Sequence, residues 1–525
     1  MNENDTAGTT PAPPPGGTDA SHGTDASNTD VSNTDAADDA RLRELGYEQR
    51  LSRRLGVFGS VAMGFATVSP VVGLYAVALV GTVVAGPMWV WTLPICLAGQ
   101  CLLLAVYSEL ASQFPISGGP YQWTRRLIGP SYAWLTGWVS LCGYLAANTT
   151  IAYLSTPWFL ALFEITPTPR LQVAVAAVFI LACSLVNALG IDVLRRILNA
   201  GIAAEAVASV GVGLALLLAF REQPWSLLTD TLGAEAGSGG SVSAAMLAAL
   251  AVGGWAFVGF DATTMSSEET RNAARHVPRA IWWALLSVGG LVILNAFAAT
   301  LAHPDPAKIV ANQDPDPITT AVITSFGDWS SKPFICVVII AFIACGLAAQ
   351  GASARAVYSV ARDDVLPGSR FLRIVNRRQA PIGGTVAVTA VGCAGLLLAL
   401  DSSAIGSLIT FGTAGLYLVF LLVALAALIA RVRGTWTPAG HIRLGTAGTV
   451  VNALAVVWLA FEFVNITWPR TILAPPGAPW YQIWAAPLVT AGLLVIGVLY
   501  LLTARPQDKV RVSSAFADRG EEVTR

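Results

Sequence analysis

Twelve apolar runs decide what this chain can fold into. They lie at about 57–83, 88–112, 131–157, 170–190, 193–220, 242–268, 279–302, 333–359, 382–400, 404–430, 445–466 and 481–503. Each is long enough to cross the hydrocarbon core of a bilayer as a helix, which takes roughly 20 residues. Lipid offers no water to backbone amides and carbonyls, so such spans fold as helices that close their own hydrogen bonds. The expected fold class is all-α, integral to a membrane. Charged residues make up only 12% of the chain, against about 25% in soluble domains. The net charge of −1 names no partner, and the bilayer rather than a nucleic acid is the expected surrounding.

The basic residues orient the spans. Taking the loops alternately, one side holds Arg170, Arg221, Lys308, Lys332 and Arg470, and the other holds the remaining 26 of the 31 Lys and Arg. Basic residues concentrate on the cytoplasmic side, so both termini are expected there. Only Lys308, Lys332 and Lys509 are lysines; this Arg bias suits a GC-rich bacterial genome and hence the plasma (inner) membrane. Residues 1–45 read as a disordered acidic tail, since the stretch is Asp, Thr, Ser, Gly and Pro with almost no apolar content. Residues 505–525 read as a cytoplasmic C-terminal tail. The seven cysteines fall within apolar runs and the four histidines in the tail or in loops. No metal spacing, disulfide or cofactor is expected.

Two spans are interrupted. The sixth breaks within the stretch Gly253–Arg279, GGWAFVGFDATTMSSEETRNAARHVPR. Its glycines weaken the helix at about 1 kcal/mol each, and Asp261 places a carboxylate where a charge costs at least about 2.5 kcal/mol. The expectation is an outer half ending near Val258, an unwound turn at Gly259–Asp261 and an inner half from Ala262. The first span breaks at Ser69-Pro70-Val71-Val72-Gly73, because proline removes a helix hydrogen bond. The sixth span comes five after the first, an odd number, so the two helices enter from opposite faces. Paired broken helices of this kind mark a transporter site at the midplane, between inverted repeats. The first half of each broken span ends there with free carbonyls, which suit an ammonium. The second half of span 1 is expected to start near Gly73 with free amides, which suit a carboxylate. Together they fit a zwitterionic amino acid.

These stretches resemble the amino acid–polyamine–organocation (APC) superfamily. WAFVGFD from Trp255, running into SEETRNAARHVPRAI, resembles its broken sixth helix. SELASQFPISGGPYQWTRRLIGP (Ser108–Pro130) resembles the second-helix exit and first cytoplasmic loop, and ARDDVLPGSRFLRIVNRRQAPI (Ala361–Ile382) the loop after the eighth helix. The wording is most similar to the amino acid/choline transporter branch, which includes GABA permease-like members. The first break reads SPVVG where many amino acid permeases carry a glycine cluster. The resemblance implies the leucine-transporter-like fold: repeat one over about 57–220, repeat two over about 242–430, and two trailing helices over about 445–503. It also implies that Trp255 caps the ligand, with Phe257 or Phe260 as a wall, and that a fifth-helix ionisable residue takes a proton-linked role.

The remaining candidates are Ser69, Val72, Gly73 and Gly259 at the breaks, and Tyr144 and Asn148 one turn apart on span 3. Asp261 either contacts an ammonium or caps the inner half-helix at Thr263 or Thr264. Glu205 has only Ala, Gly and Val around it in sequence, so it is either a proton-coupling group or a carboxyl bonded to another helix. Glu109, Glu268 and Glu269, with Arg125, Arg126, Arg271 and Arg275 nearby, read as cytoplasmic gate ion pairs. Glu462 reads as snorkelling near the outer end of span 11. Gln350 and Ser353 fall where related folds bind sodium, which is not expected here. The expected function is secondary transport of amino acids or GABA-like amino compounds by alternating access. A choline or polyamine carrier is the rival of the same fold. A membrane enzyme lacks a reactive cluster, and a channel lacks a filter-like repeat.

Overall fold

The computed structural model of the chain describes residues 35–400, 402–474 and 477–509, with the side chains of these apart from 402–411. No strand occurs among the described residues; Leu55 and Thr270 make one isolated bridge. The spanning helices are α1 (halves α1a, Val57–Val68, and α1b, Pro70–Ala85), α2 (Thr92–Gln113), α3 (Pro130–Leu154), α4 (Pro169–Ala188), α5 (Ile191–Leu218), α6 (α6a, Val242–Gly253, and α6b, Ala262–Met265), α7 (Ala273–Ala302), α8 (Ser331–Ala361), α9 (Ile382–Gly395), α10 (Ser402–Val432), α11 (Ala447–Thr467) and α12 (Ala485–Ala504). By length and hydropathy ten stretches of the described chain can cross a membrane. One of them, Val57–Gln113, contains both α1 and α2. Helix α3 falls below the hydropathy of the others because Trp134, Trp138, Tyr144, Asn148, Thr149 and Thr150 are built into it. With α3, the expected twelve spans are present.

Both breaks are where the sequence puts them. Helix α1 stops at Val68 because Pro70 has no N–H to give the carbonyl of Ala66. Ser69 adopts φ 48°, a left-handed conformation that L residues other than Gly, Asn and Asp seldom take. Its side chain then caps α1b, accepting from the Val72 amide at 3.1 Å. Helix α6a tightens into a turn over Gly254–Phe257, unwinds, and restarts as α6b at Ala262. Gly259 has φ 100°, and a Cβ there would lie 2.9 Å from Thr67 Cγ2. Only glycine fits this passage of one break against the other. Three boundaries differ. Helix α1b starts at Pro70 rather than near Gly73, and α6a gives way to its tighter turn after Gly253 rather than running to Val258. Helix α7 starts at Ala273, earlier than expected, and carries Pro278 inside it.

Helix contacts come in pairs that exchange the two halves of the chain. Helix α5 packs on α8 as α10 packs on α3; α4 packs on α8 as α9 packs on α3; α7 packs on α1a as α2 packs on α6a. This is the pairing of a five-helix unit and its inverted copy, with α11 and α12 outside on α2, α3 and α10.

The chain before α1 is more structured than its composition indicates. Residues 35–44 form a helix, and Leu42, Leu45, Leu51 and Leu55 are all buried. The Tyr47 hydroxyl donates to Asp363 at 2.9 Å and accepts from Arg125 at 2.6 Å. Burial, with the Asp363 charge beside it, pushes this hydroxyl above its usual range, so it stays a donor. Residues 1–34 lie outside the described residues.

Candidate substrate site

The two breaks meet at a small cavity. Thr67, Val68 and Val72 of α1, Trp255, Val258 and Gly259 of α6, Tyr144, Ala147 and Ile151 of α3, Cys345 and Ala349 of α8, and Leu416 of α10 line it. All of these are buried except Thr67, which is partly so. The cavity is therefore occluded.

Four expected residues line it: Val72, Tyr144, Trp255 and Gly259. Trp255 is 8% exposed, with its ring edge near the Gly412 backbone of α10, so it spans from the α6 break to α10. Gly73 packs its backbone on that of Ala256. Phe257 and Phe260 do not form the wall. Both are fully buried, and Phe260 stacks behind the break with Tyr107 and Phe420, ring centroids 6.0 and 5.6 Å away. Asn148 is also displaced. Four residues along α3 from Tyr144, it has turned towards Gly392 of α9, and Ala147 and Ile151 take the cavity face.

Asp261 is not a cap. The α6b N-terminus has no side-chain cap hydrogen bond; the Asp261 carboxylate instead accepts from the Tyr144 hydroxyl. Its other oxygen is buried with no hydrogen-bond partner. Tyr144 thus joins the cavity to a carboxylate just beyond it.

The amides of α1b are taken. The Glu205 carboxylate accepts from Ser69 Oγ at 2.5 Å and from the Val71 amide at 3.1 Å. The Val72 amide goes to Ser69 Oγ, and the Gly73 amide to the Ser69 carbonyl at 2.9 Å. The expected free donors near Gly73 are therefore occupied, and one occupant is a carboxylate from α5. Ser69 serves this junction rather than the cavity. On α8, Gln350 donates to Ser184, and Ser353 bonds back to the Ala349 carbonyl at 2.8 Å.

The acidic residues expected at the cytoplasmic side pair with partners other than those near them in sequence. Glu268 pairs with Arg362 at 2.8 Å and accepts from the Ser117 amide. Glu269 pairs with Arg355. Glu109 pairs with Arg431 of α10 and takes the Leu444 amide at 2.6 Å. Arg271 is half exposed, 3.8 Å from Asp35, and does not join these pairs. Arg355 in α8 and Arg362 just past its end, seven apart, face the adjacent Glu268 and Glu269; that two-turn spacing was the signal available in sequence. Glu462 does not snorkel. It is fully buried.

The family model for amino acid permeases matches residues 55–496. The chain belongs to the amino acid permease family. This permease is 25% identical over 493 residues to the amino-acid permease BAT1 of Arabidopsis thaliana, covering 88% of this chain and 93% of the relative. It is 24% identical to the branched-chain amino acid permease BcaP of Bacillus subtilis, over 88% and 95%. It is 26% identical to the mitochondrial cationic amino acid transporter 3 of Arabidopsis thaliana, over 73% and 63%. The permease is a multi-pass membrane transporter of the APC superfamily, not an enzyme.

Proposed function

We propose that the permease moves a small amino acid by alternating access through the cavity between the α1 and α6 breaks. The observation that carries this is the meeting of both breaks at one occluded, mostly apolar chamber. Val72, Ala147, Ile151, Val258, Ala349 and Leu416 favour an aliphatic side chain. The carbonyl ends of α1a and α6a, with Asp261 behind Tyr144, suit an ammonium. Trp255 is the gate over the ligand. Glu205 couples transport to a proton: its carboxylate holds the Ser69 hydroxyl and the Val71 amide, and protonation weakens that hold and loosens α1b from α5. The pairs Glu268–Arg362 and Glu269–Arg355 hold the cytoplasmic side shut.

Uptake of a panel of labelled neutral and cationic amino acids, GABA and choline into proteoliposomes tests this reading. Saturable uptake of neutral aliphatic amino acids is expected, with little of choline. Trp255→Leu should lower uptake about tenfold or more while the protein stays monodisperse. Choline as the sole substrate, or wild-type uptake by Trp255→Leu, would remove the reading.

The plasma membrane, with both termini cytoplasmic, is the proposed setting, supported by the side bias of the basic residues. On a background with its cysteines replaced, Gln313→Cys should react with an impermeant thiol reagent added outside intact cells. Arg370→Cys should react only after permeabilisation. Both positions are exposed, so reversed accessibility would invert the topology.

A further inference from the structure

Helix α11 lies outside the repeat, yet it carries a carboxyl against the back of α6a. Glu462 is fully buried, and neither of its oxygens meets a hydrogen-bond donor. The nearby amide is committed elsewhere: Asn465 Nδ2 donates to the Leu247 carbonyl at 3.0 Å. Arg470 is committed too, with both terminal nitrogens on Asn465 at 2.5 Å. It makes no ion pair with Glu462 among the described residues.

The other titratable groups facing Glu462 are Cys96 of α2 and Tyr417 of α10. Helix α6a has none, and α12 carries only Tyr500, which bonds to Val365 at the cytoplasmic side. Cys96 and Tyr417 also reach α6a. Cys96 Sγ donates to the Leu250 carbonyl at 3.7 Å, and the Tyr417 hydroxyl to the Gly254 carbonyl at 3.4 Å. Three helices thus grip successive carbonyls of α6a around one carboxyl, and the last of these precedes Trp255.

We infer that Glu462 is a second proton-binding site, occupied while α6a is closed on α2, α10 and α11 and emptied when α6a swings outward. Asn465 and Arg470 lie near Glu462 without a direct bond to it, and an ionised carboxylate with neither a hydrogen bond nor an ion pair is costly in a dry interior, whereas the neutral acid is not. In the step itself, an O–H bond forms on a Glu462 carboxylate oxygen with a proton from the outer solution, as α6a closes. The proton returns there when α6a opens. This cycle moves no net proton across the membrane, so it is separate from the coupling at Glu205. It makes the opening rate of the outer gate depend on external pH.

Infrared difference spectra of the purified permease, taken between neutral and alkaline buffer, read the site without any substrate. A protonated-carboxyl band is expected in wild type at neutral pH. Glu462→Gln should lose it, and Glu205→Gln should keep it. If Glu462→Gln does not fold, Glu462→Asp should shift the frequency of the same band. A band untouched by either Glu462 variant would show the group ionised and overturn the inference. A second readout is exchange of a labelled amino acid mixture across proteoliposomes, which needs no net proton movement. Wild-type exchange should slow at alkaline external pH by about threefold or more, and Glu462→Gln should hold a ratio near one. An unchanged pH profile in Glu462→Gln would equally overturn it. Failure of Glu205 to couple would leave both readouts as they are.

Discussion

Glu205→Gln is expected to abolish accumulation driven by a pH gradient while leaving exchange within about threefold of wild type. Glutamine keeps an oxygen to accept from Ser69 and from the Val71 amide, the two donors now on Glu205. The α1b end therefore stays capped, and only the proton is lost from the cycle. A tenfold concentration ratio stores about 1.4 kcal/mol. Without a titrating group that work has no source, so accumulation should fall about tenfold or more, to equal concentrations on both sides. Glu205→Ala should do worse, because it leaves the Ser69 hydroxyl and the Val71 amide unpaired. Each such buried group costs about 1–3 kcal/mol, and reduced yield of folded protein is expected as well. Uptake with and without an imposed gradient checks this. A Glu205→Gln protein that accumulates like the wild type would make Glu205 a structural cap.

The second large effect lies at the side proposed as cytoplasmic. Glu269 and Arg355 are 1% and 4% exposed and pair directly. Arg355 also donates to the Gly351 carbonyl at 2.8 Å. Glu269→Ala leaves the guanidinium buried with one weak partner. Removing one member of a buried pair costs about 3–5 kcal/mol, a large part of a typical stability of about 5–15 kcal/mol. A marked fall in unfolding temperature in detergent is expected, with partial recovery in Glu269→Ala/Arg355→Leu. Arg271→Ala is the contrast. Its side chain is 41% exposed and 3.8 Å from Asp35, so about 0–1 kcal/mol is expected. Equal effects at the two positions would contradict the assignment of the gate.

What the sequence made legible was what backbone chemistry dictates locally. Pro70 removes one specific hydrogen bond, and Gly259 is the only residue type that passes Thr67 at φ 100°. Both breaks could therefore be placed to within a residue or two. What it left open depends on partners distant along the chain. The donors of α1b were visible, but their acceptor lies 136 residues from Ser69. Glu268 and Glu269 were visible as gate acids, but their arginines, Arg355 near the end of α8 and Arg362 just past it, lie far along the chain, Arg355 86 residues from Glu269. Tyr144 and Asn148 share a helix face in projection, and only the packing of α3 on its neighbours shows that Ala147 and Ile151 follow Tyr144 along the cavity instead. The helix over 35–44 was missed because two leucines in an acidic stretch are too little apolar surface to signal packing. Those leucines are buried by neighbours from other loops.

The central claim is that the chamber between the two breaks holds the amino acid. Cys345 lines that chamber and is buried in it, with its thiol 3.4 Å from the Thr67 carbonyl. The most direct measurement is the rate at which a small thiol reagent inactivates exchange in proteoliposomes, with and without saturating substrate amino acid. The wild type should be inactivated, Cys345→Ala should survive, and substrate should slow the reaction about tenfold. Equal inactivation of Cys345→Ala, or a rate that substrate leaves unchanged, would place the amino acid elsewhere.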